Sequence, residues 1–270
     1  METDKMSTAS SVGAERRPLM QALVLERRIL FGCTILVGLS TFLWITAVCT
    51  SKWVHIEGGN GILINTTYFM SSDSGVWEIC RNEFDPNATA STPWPNGTVS
   101  AETCTFREST GQCYTLCTNY LATPVADQKA HRDPAYNVEI ANLVRTMTSF
   151  GIIGLFVMAM GCGFSLYTFR NPRYMFKRLA AGIHFISTSC TFVVVQVMNT
   201  TVEDLKKSVP AVFPVKAYYY FHISFYLAVF VVLVNFGAAA SFLWYSRKRK
   251  GDKAATDELA MADEPTIIGR

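Results

Sequence analysis

The chain has 270 residues, half of them hydrophobic, and a formal net charge of +3. The hydrophobic residues cluster into long runs, which argues against a soluble domain because soluble cores are interrupted by polar residues every few positions. The small net charge identifies no partner by itself, and no nucleic-acid partner is expected.

Four apolar stretches without Asp, Glu, Lys or Arg dominate the chain. They cover residues 29–50, 146–169, 179–201 and 217–246. A helix needs about 20 apolar residues to cross the roughly 30 Å of hydrocarbon in a bilayer, and each stretch meets that length. The sequence therefore predicts a multi-pass protein of the lipid bilayer with four spanning helices.

The segments between the spans differ in charge. Basic residues crowd the span ends at both chain termini and in the short middle loop, whereas residues 51–141 carry ten acidic and five basic residues. Positive charge next to a span marks the cytoplasmic side. We therefore expect a plasma-membrane protein with both termini in the cytoplasm. Its cytoplasmic segments are 1–28, 170–178 and 247–270, and its outer loops are 51–145 and 202–216.

The first outer loop carries features of an extracellular domain. Glycosylation sequons begin at Asn65, Asn87 and Asn96. Four of the eight cysteines fall in the same loop, namely Cys80, Cys104, Cys113 and Cys117. An even number of cysteines in such a loop predicts disulfides, but four cysteines permit three pairings, and the sequence does not choose among them.

This loop of about 90 residues is too long to lack structure. Strand-like pieces occur at 53–56, 62–69, 76–80 and 112–119. The segment 85–99 is rich in Asn, Pro, Ser and Thr, which favours a sugar-bearing protrusion. We predict a small disulfide-linked sheet with this segment as an insertion.

Short connections between the later spans predict an antiparallel four-helix bundle. The second span has small-residue faces, and Ala159 and Gly163 have the spacing that permits close helix approach. Two interpretations stay open for these faces: packing within the bundle, or docking onto another protein. The fourth span opens with the aromatic residues 218–221, which favour an interfacial belt over a partner contact.

The sequence contains no recognisable motif of an enzyme, and neither a cofactor nor a metal site is expected. Transporters and pores usually need ionisable or polar groups within the spans. The polar candidates here are few: His184, Gln196, Asn199, His222 and Asn235. The sequence therefore favours a non-catalytic protein that binds other proteins through its outer loop and helix faces.

The first outer loop also carries a family motif. Trp53 is followed by Gly75-Val76-Trp77, then by Cys80 and a further cysteine at Cys104 or Cys113. This resembles the W…G-L-W-x-x-C…C motif of the claudin, peripheral myelin protein and calcium-channel γ-subunit superfamily, with Val76 where leucine is usual. Arg145 matches an arginine of many members.

Two segments resemble one group within this superfamily. Residues 193–198 are similar to the end of span three in the skeletal-muscle-type γ subunits of voltage-gated calcium channels, and 217–220 with 224–225 are similar to the start of their span four. The resemblance implies a claudin-like fold, in which an outer sheet of about five strands sits on a left-handed four-helix bundle. It also implies a Cys80–Cys104 disulfide, with Cys113–Cys117 as the preferred second pair.

The function implied by the resemblance is that of an auxiliary subunit. Its partner would be the pore-forming α subunit of a voltage-gated calcium channel, whose gating it would modulate. The alternatives are an auxiliary subunit of AMPA-type ionotropic glutamate receptors and a claudin-like adhesion or barrier protein. The predicted partner interface comprises Gly151, Gly154, Phe156, Met160, Phe192 and Gln196.

Overall fold

The computed structural model describes residues 3–87, 97–99, 111–121, 136–170 and 174–246. Four long helices carry the fold: α1 (Thr3–Cys49), α2 (Val138–Arg170), α3 (Tyr174–Ser208) and α4 (Ile223–Trp244). Each contains a stretch long and apolar enough to cross a membrane, which in α1 is Val24–Cys49. Together with the antiparallel sheet described below, they confirm the predicted fold class.

The described chain forms two compact units, and each unit holds part of every long helix. The tail unit comprises Met1–Ser40, Val157–Ser187 and Leu233–Arg270. The sheet unit comprises Thr41–Phe156 and Thr188–Val232. Buried apolar residues in the tail unit include Leu30, Ala180, Ala181 and Phe242. Those in the sheet unit include Trp44, Trp53, Phe69, Met147 and Phe213.

The burial pattern of helix α2 shows which of its faces lies in the interior of the bundle. Eight of its buried positions alternate between spacings of three and four residues, at 144, 147, 151, 154, 158, 161, 165 and 168. This 3.5-residue period keeps one stripe against neighbouring helices, as in left-handed helix packing. The helix starts eight residues before the predicted span at 146, and α3 likewise continues past 201 to Ser208.

All six strands belong to one antiparallel sheet. The strands are β1 (Val54–Ile64), β2 (Thr67–Ser74), β3 (Glu78–Asp85), β4 (Gly97–Val99), β5 (Gln112–Asn119) and β6 (Tyr218–Phe221). Their order across the sheet is β4-β5-β3-β2-β1-β6. The first outer loop thus supplies five strands, as the resemblance implies, and the segment directly before α4 adds one more.

A tight turn divides the predicted strand-like piece 62–69. Ile64 pairs with Thr67, which leaves Asn65 and Thr66 as a two-residue hairpin loop. Asn65 has a positive φ of 54°, a conformation that asparagine tolerates better than most residues. Farther along β1, Gly59 and Gly61 also have positive φ, at a bulge between Glu57 and Ile62.

The fourth span begins later than the predicted residue 217. Residues 218–221 form β6, which pairs with β1, and α4 starts at Ile223. The apolar composition of this segment suits a strand as well as a helix, and pairing covers the otherwise open edge of β1. The amide of His222 then donates to the carbonyl of Trp53 at 2.8 Å, which links the end of the strand to the start of the sheet.

The structure corrects the expected disulfides. Cys80 on β3 and Cys117 on β5 are register partners whose Cα atoms lie 4.0 Å apart, and they are bonded. The Cys80–Cys104 and Cys113–Cys117 pairings are therefore wrong. Cys113 lies on the same strand as Cys117, and four residues of extended chain separate their Cα atoms by about 13 Å, beyond the reach of a disulfide. Cys113 is itself disulfide-bonded, and Cys104 lies outside the described residues.

Proteolysis without reduction, followed by mass spectrometry, should recover Cys80 and Cys117 in one linked peptide pair. Replacing both by alanine should lower the free energy of unfolding by about 2–4 kcal/mol, because the unfolded loop regains conformational freedom. A linked pair containing Cys80 and Cys104, or Cys113 and Cys117, would contradict the strand register.

Candidate interaction surfaces

Trp53 connects the sheet to the helices within the sheet unit. Its side chain is fully buried, and its indole nitrogen donates to the carbonyl of Ala47 in α1 at 2.7 Å. Its ring meets Trp44 edge-on at 6.3 Å between centroids, and Trp44 donates to the carbonyl of Gly151 in α2 at 3.0 Å. Buried indoles need an acceptor, so these two bonds align β1 with both helices.

The Gly75-Val76-Trp77 segment forms a second connection. A methyl group on Gly75 would stand 2.7 Å from the Cα of Ser51, so the backbone approaches too closely for any larger residue. Val76 is fully buried, and its carbonyl accepts a hydrogen bond from the Thr148 hydroxyl of α2 at 3.3 Å. Trp77 is half-buried. Arg145, the remaining motif residue, is half-buried on α2. The motif residues of the sheet therefore have a structural role.

Two glycines of α2 face the interior of the sheet unit. Gly151 and Gly154 are both buried. A Cβ on Gly154 would lie 3.5 Å from side-chain atoms of Cys190 and Thr191 on α3. These two positions serve packing within the bundle. The structure therefore corrects the prediction that they belong to the partner interface. Farther along α2, Ala159 and Gly163 are exposed.

The other members of the predicted interface point away from the bundle. Phe156 is 70% exposed, Met160 51% and Phe192 48%. Gln196 is also exposed, and its side-chain amide has no hydrogen-bond partner among the described residues. Three of these residues belong to the sheet unit, while Met160 belongs to the tail unit.

A buried asparagine joins the four helices of the tail unit. Asn235 on α4 is fully buried, and its amide nitrogen lies 3.4 Å from the Ser40 hydroxyl of α1 and 3.6 Å from the Met158 sulfur of α2. Its carbonyl oxygen accepts a hydrogen bond from Ser187 of α3 at 3.3 Å. Polar side chains of this kind bridge helices where lipid offers no partner.

His184 forms a neighbouring interior contact. It is fully buried on α3, and its Nε2 lies 2.7 Å from the Ser165 hydroxyl of α2. A Cβ on Gly161 would approach its ring to 2.9 Å, so the glycine provides the space that the imidazole occupies. Two of the polar residues of the spans, His184 and Asn235, thus bond to neighbouring helices.

A histidine–carboxylate pair lies on the outer sheet. His55 Nδ1 on β1 is 2.6 Å from Asp73 Oδ1 on β2, and the two residues are register partners. The hydrogen bond to Asp73 raises the pKa of His55 above its ordinary value of 6.5 against the opposing effect of burial. The ring of Tyr220 on β6 lies 5.2 Å from the imidazole. Sequence reasoning missed this pair because it depends on strand register.

The asparagines of two of the three sequons lie within the described residues. Asn65 occupies the exposed β1–β2 turn, and Asn87 lies in an exposed turn after β3. Their side chains are therefore accessible to a glycan. Asn96 lies outside the described residues.

Comparison with known families gives one match. The family model described as PMP-22/EMP/MP20/claudin tight junction matches residues 38–244, which include about half of the first span, the other three spans in full and the whole sheet. No individual curated protein matches the chain.

Gly154→Leu should lower the midpoint of unfolding in detergent, because the added side chain must displace Cys190 and Thr191. Overpacking of this kind costs about 1–3 kcal/mol. Gly163→Leu is the matched control, since nothing lies within 4 Å of a Cβ at that position. Equal stability of the two variants would contradict the interior placement of Gly154.

Asp73→Asn should lower the pKa of His55 to 6.5 or below, because burial then acts without the carboxylate. The raised pKa means that the pair stabilises the fold below pH 6.5 and loses this contribution as the pH rises through the folded value. Nuclear magnetic resonance titration of the imidazole measures the change. Glu57→Gln, a more distant carboxylate, should produce a smaller decrease, and an unchanged pKa in Asp73→Asn would refute the pairing.

Proposed function

The chain belongs to the PMP-22/EMP/MP20/claudin tight-junction family, and from that premise we propose that it is an auxiliary γ-type subunit of a voltage-gated calcium channel. Its four apolar helices make it a multi-pass membrane protein. Members of this family are generally not enzymes, which supports a non-catalytic role. Its partner is the pore-forming α subunit in the plasma membrane, with both termini of the γ-type chain in the cytoplasm.

The proposal depends most on Gln196. An amide that faces hydrocarbon without a partner costs several kcal/mol, so such a residue on the outside of a spanning helix favours contact with a polar group of another protein. Gln196 is exposed and lies within residues 193–198, the segment that resembles γ subunits. Thr200, one turn away, differs because its hydroxyl donates to a carbonyl of its own helix at 3.2 Å.

Large apolar side chains accompany this amide within the sheet unit. Phe156 and Phe192 are exposed, as are Ile152 and Ile153 on α2. Helices associate in lipid through close packing and a few interhelical hydrogen bonds, because lipid tails remove the hydrophobic driving force. The proposed contact therefore combines aromatic packing with one hydrogen bond from Gln196.

Modulation of gating follows from differential binding. A subunit that contacts one gating state better than another shifts the equilibrium by the difference in binding free energy and by no more than that. A difference of about 1.4 kcal/mol changes the equilibrium tenfold, which is within the usual range of coupling energies.

The family match also favours a second candidate, a claudin-like adhesion or barrier protein. The exposed sequon at Asn65 counts against it, because a glycan on this turn would obstruct close packing between cells. A rise in transepithelial resistance on expression, without co-purification of a channel, would favour adhesion.

Gln196→Leu should weaken co-purification with the calcium-channel α subunit and reduce the shift in voltage dependence of inactivation. One interhelical hydrogen bond in a membrane contributes about 1 kcal/mol, so the expected loss in affinity is roughly fivefold. The stability of the isolated protein should not fall, because an exposed amide is removed. Thr200→Val is the matched control and should leave both measurements unchanged.

Wild-type association in the Gln196→Leu variant would refute this contact surface. Co-purification of an AMPA-type receptor instead of a calcium channel would show that the chain has a different partner, and it would refute the assignment to a calcium channel.

A further inference from the structure

A groove lies between α1 and α2 in the tail unit. It has a volume of about 500 Å³ and is lined by Val24, Arg27, Arg28, Phe31, Leu166 and Phe169. This volume is within the range of small-molecule sites.

The walls of the groove are amphipathic. The four residues from α1 have the spacing i, i+3, i+4 and i+7, which places them on one helix face. Phe31 and Phe169 meet edge-on at 5.7 Å between ring centroids and join the two helices. The groove therefore has apolar walls and two arginines at the start of the predicted first span.

Within the residues that the structure describes, no carboxylate forms an ion pair with the two arginines of the groove. Glu26 is the only acidic residue among residues 24–40, 157–170, 174–187 and 233–246. It is buried and bound to Lys177 of α3 at 2.5 Å. No ion pair joins Arg27 or Arg28 to another residue in the part of the chain that the structure describes. A ligand with a negative charge next to an apolar chain matches this arrangement.

We propose that the groove binds an anionic glycerophospholipid, with its phosphate at Arg27 and Arg28 and an acyl chain against Phe31, Leu166 and Phe169. Basic pockets between spanning helices on the cytoplasmic side suit anionic headgroups. Arginine can hold its charge at the headgroup level while its stem lies on apolar surface. The cytoplasmic leaflet supplies such lipids in the orientation proposed above. The site is independent of any channel contact.

The test uses the full-length chain in vesicles of phosphatidylcholine and phosphatidylserine, with native mass spectrometry of the retained lipid. Replacing both arginines by glutamine should lower the apparent affinity for phosphatidylserine about tenfold or more, since each basic residue near such a lipid contributes about 1 kcal/mol. Replacing both by lysine should preserve most of the binding. Leu166→Trp, which fills the apolar part, should reduce binding while the charge stays unchanged.

Arg178→Gln is the matched control, because Arg178 is exposed in the same unit but does not line the groove. An equal loss in this control would show diffuse attraction and overturn the proposal. Wild-type retention in the double glutamine variant would do the same. Full competition by soluble glycerophosphoserine would indicate a headgroup site without a lipid chain, which also contradicts the proposal. None of these results bears on association with a channel.

Discussion

Hydrocarbon offers no hydrogen bond to a polar atom, and the arrangement of side chains in all four helices follows this constraint. Several buried hydroxyls bond to carbonyls of their own helix, as Thr34 does to Leu30 at 2.9 Å. The larger polar group of Asn235 lies in the interior, where three other helices surround it. Gln196 is an exception on the outer surface, and this exception supports the proposed contact surface.

The residues of the family motif have a structural role, and the contacts proposed with other molecules involve different residues. Trp53, Gly75 and Val76 are buried where the sheet meets the helices, so they hold the sheet against α1 and α2. The contacts that we propose use other residues, on the outer faces of α2 and α3 and in the groove beside Arg27. A family can therefore keep one scaffold while its members differ in partner.

Composition predicted the spans because twenty apolar residues in a row have few alternative environments, and Trp53 with Cys80 indicated the sheet. Pairings between distant residues could not be predicted. The Cys80–Cys117 bond and the His55–Asp73 pair depend on strand register, which becomes known only when the sheet is formed. Glycines in a span indicate that another helix can approach closely, but they do not identify that helix. Only the structure shows that Gly154 faces α3.

Oxygen accessibility of spin labels placed singly along residues 150–163 of α2, in bilayers, tests directly which face of the bundle meets lipid. The packing predicts a 3.5-residue period, with minima at Gly151, Gly154 and Met158 and maxima at Ile152 and Phe156. Maxima at Gly151 and Gly154, or uniform accessibility along the helix, would contradict the division into interior and outer faces on which the proposed contacts depend.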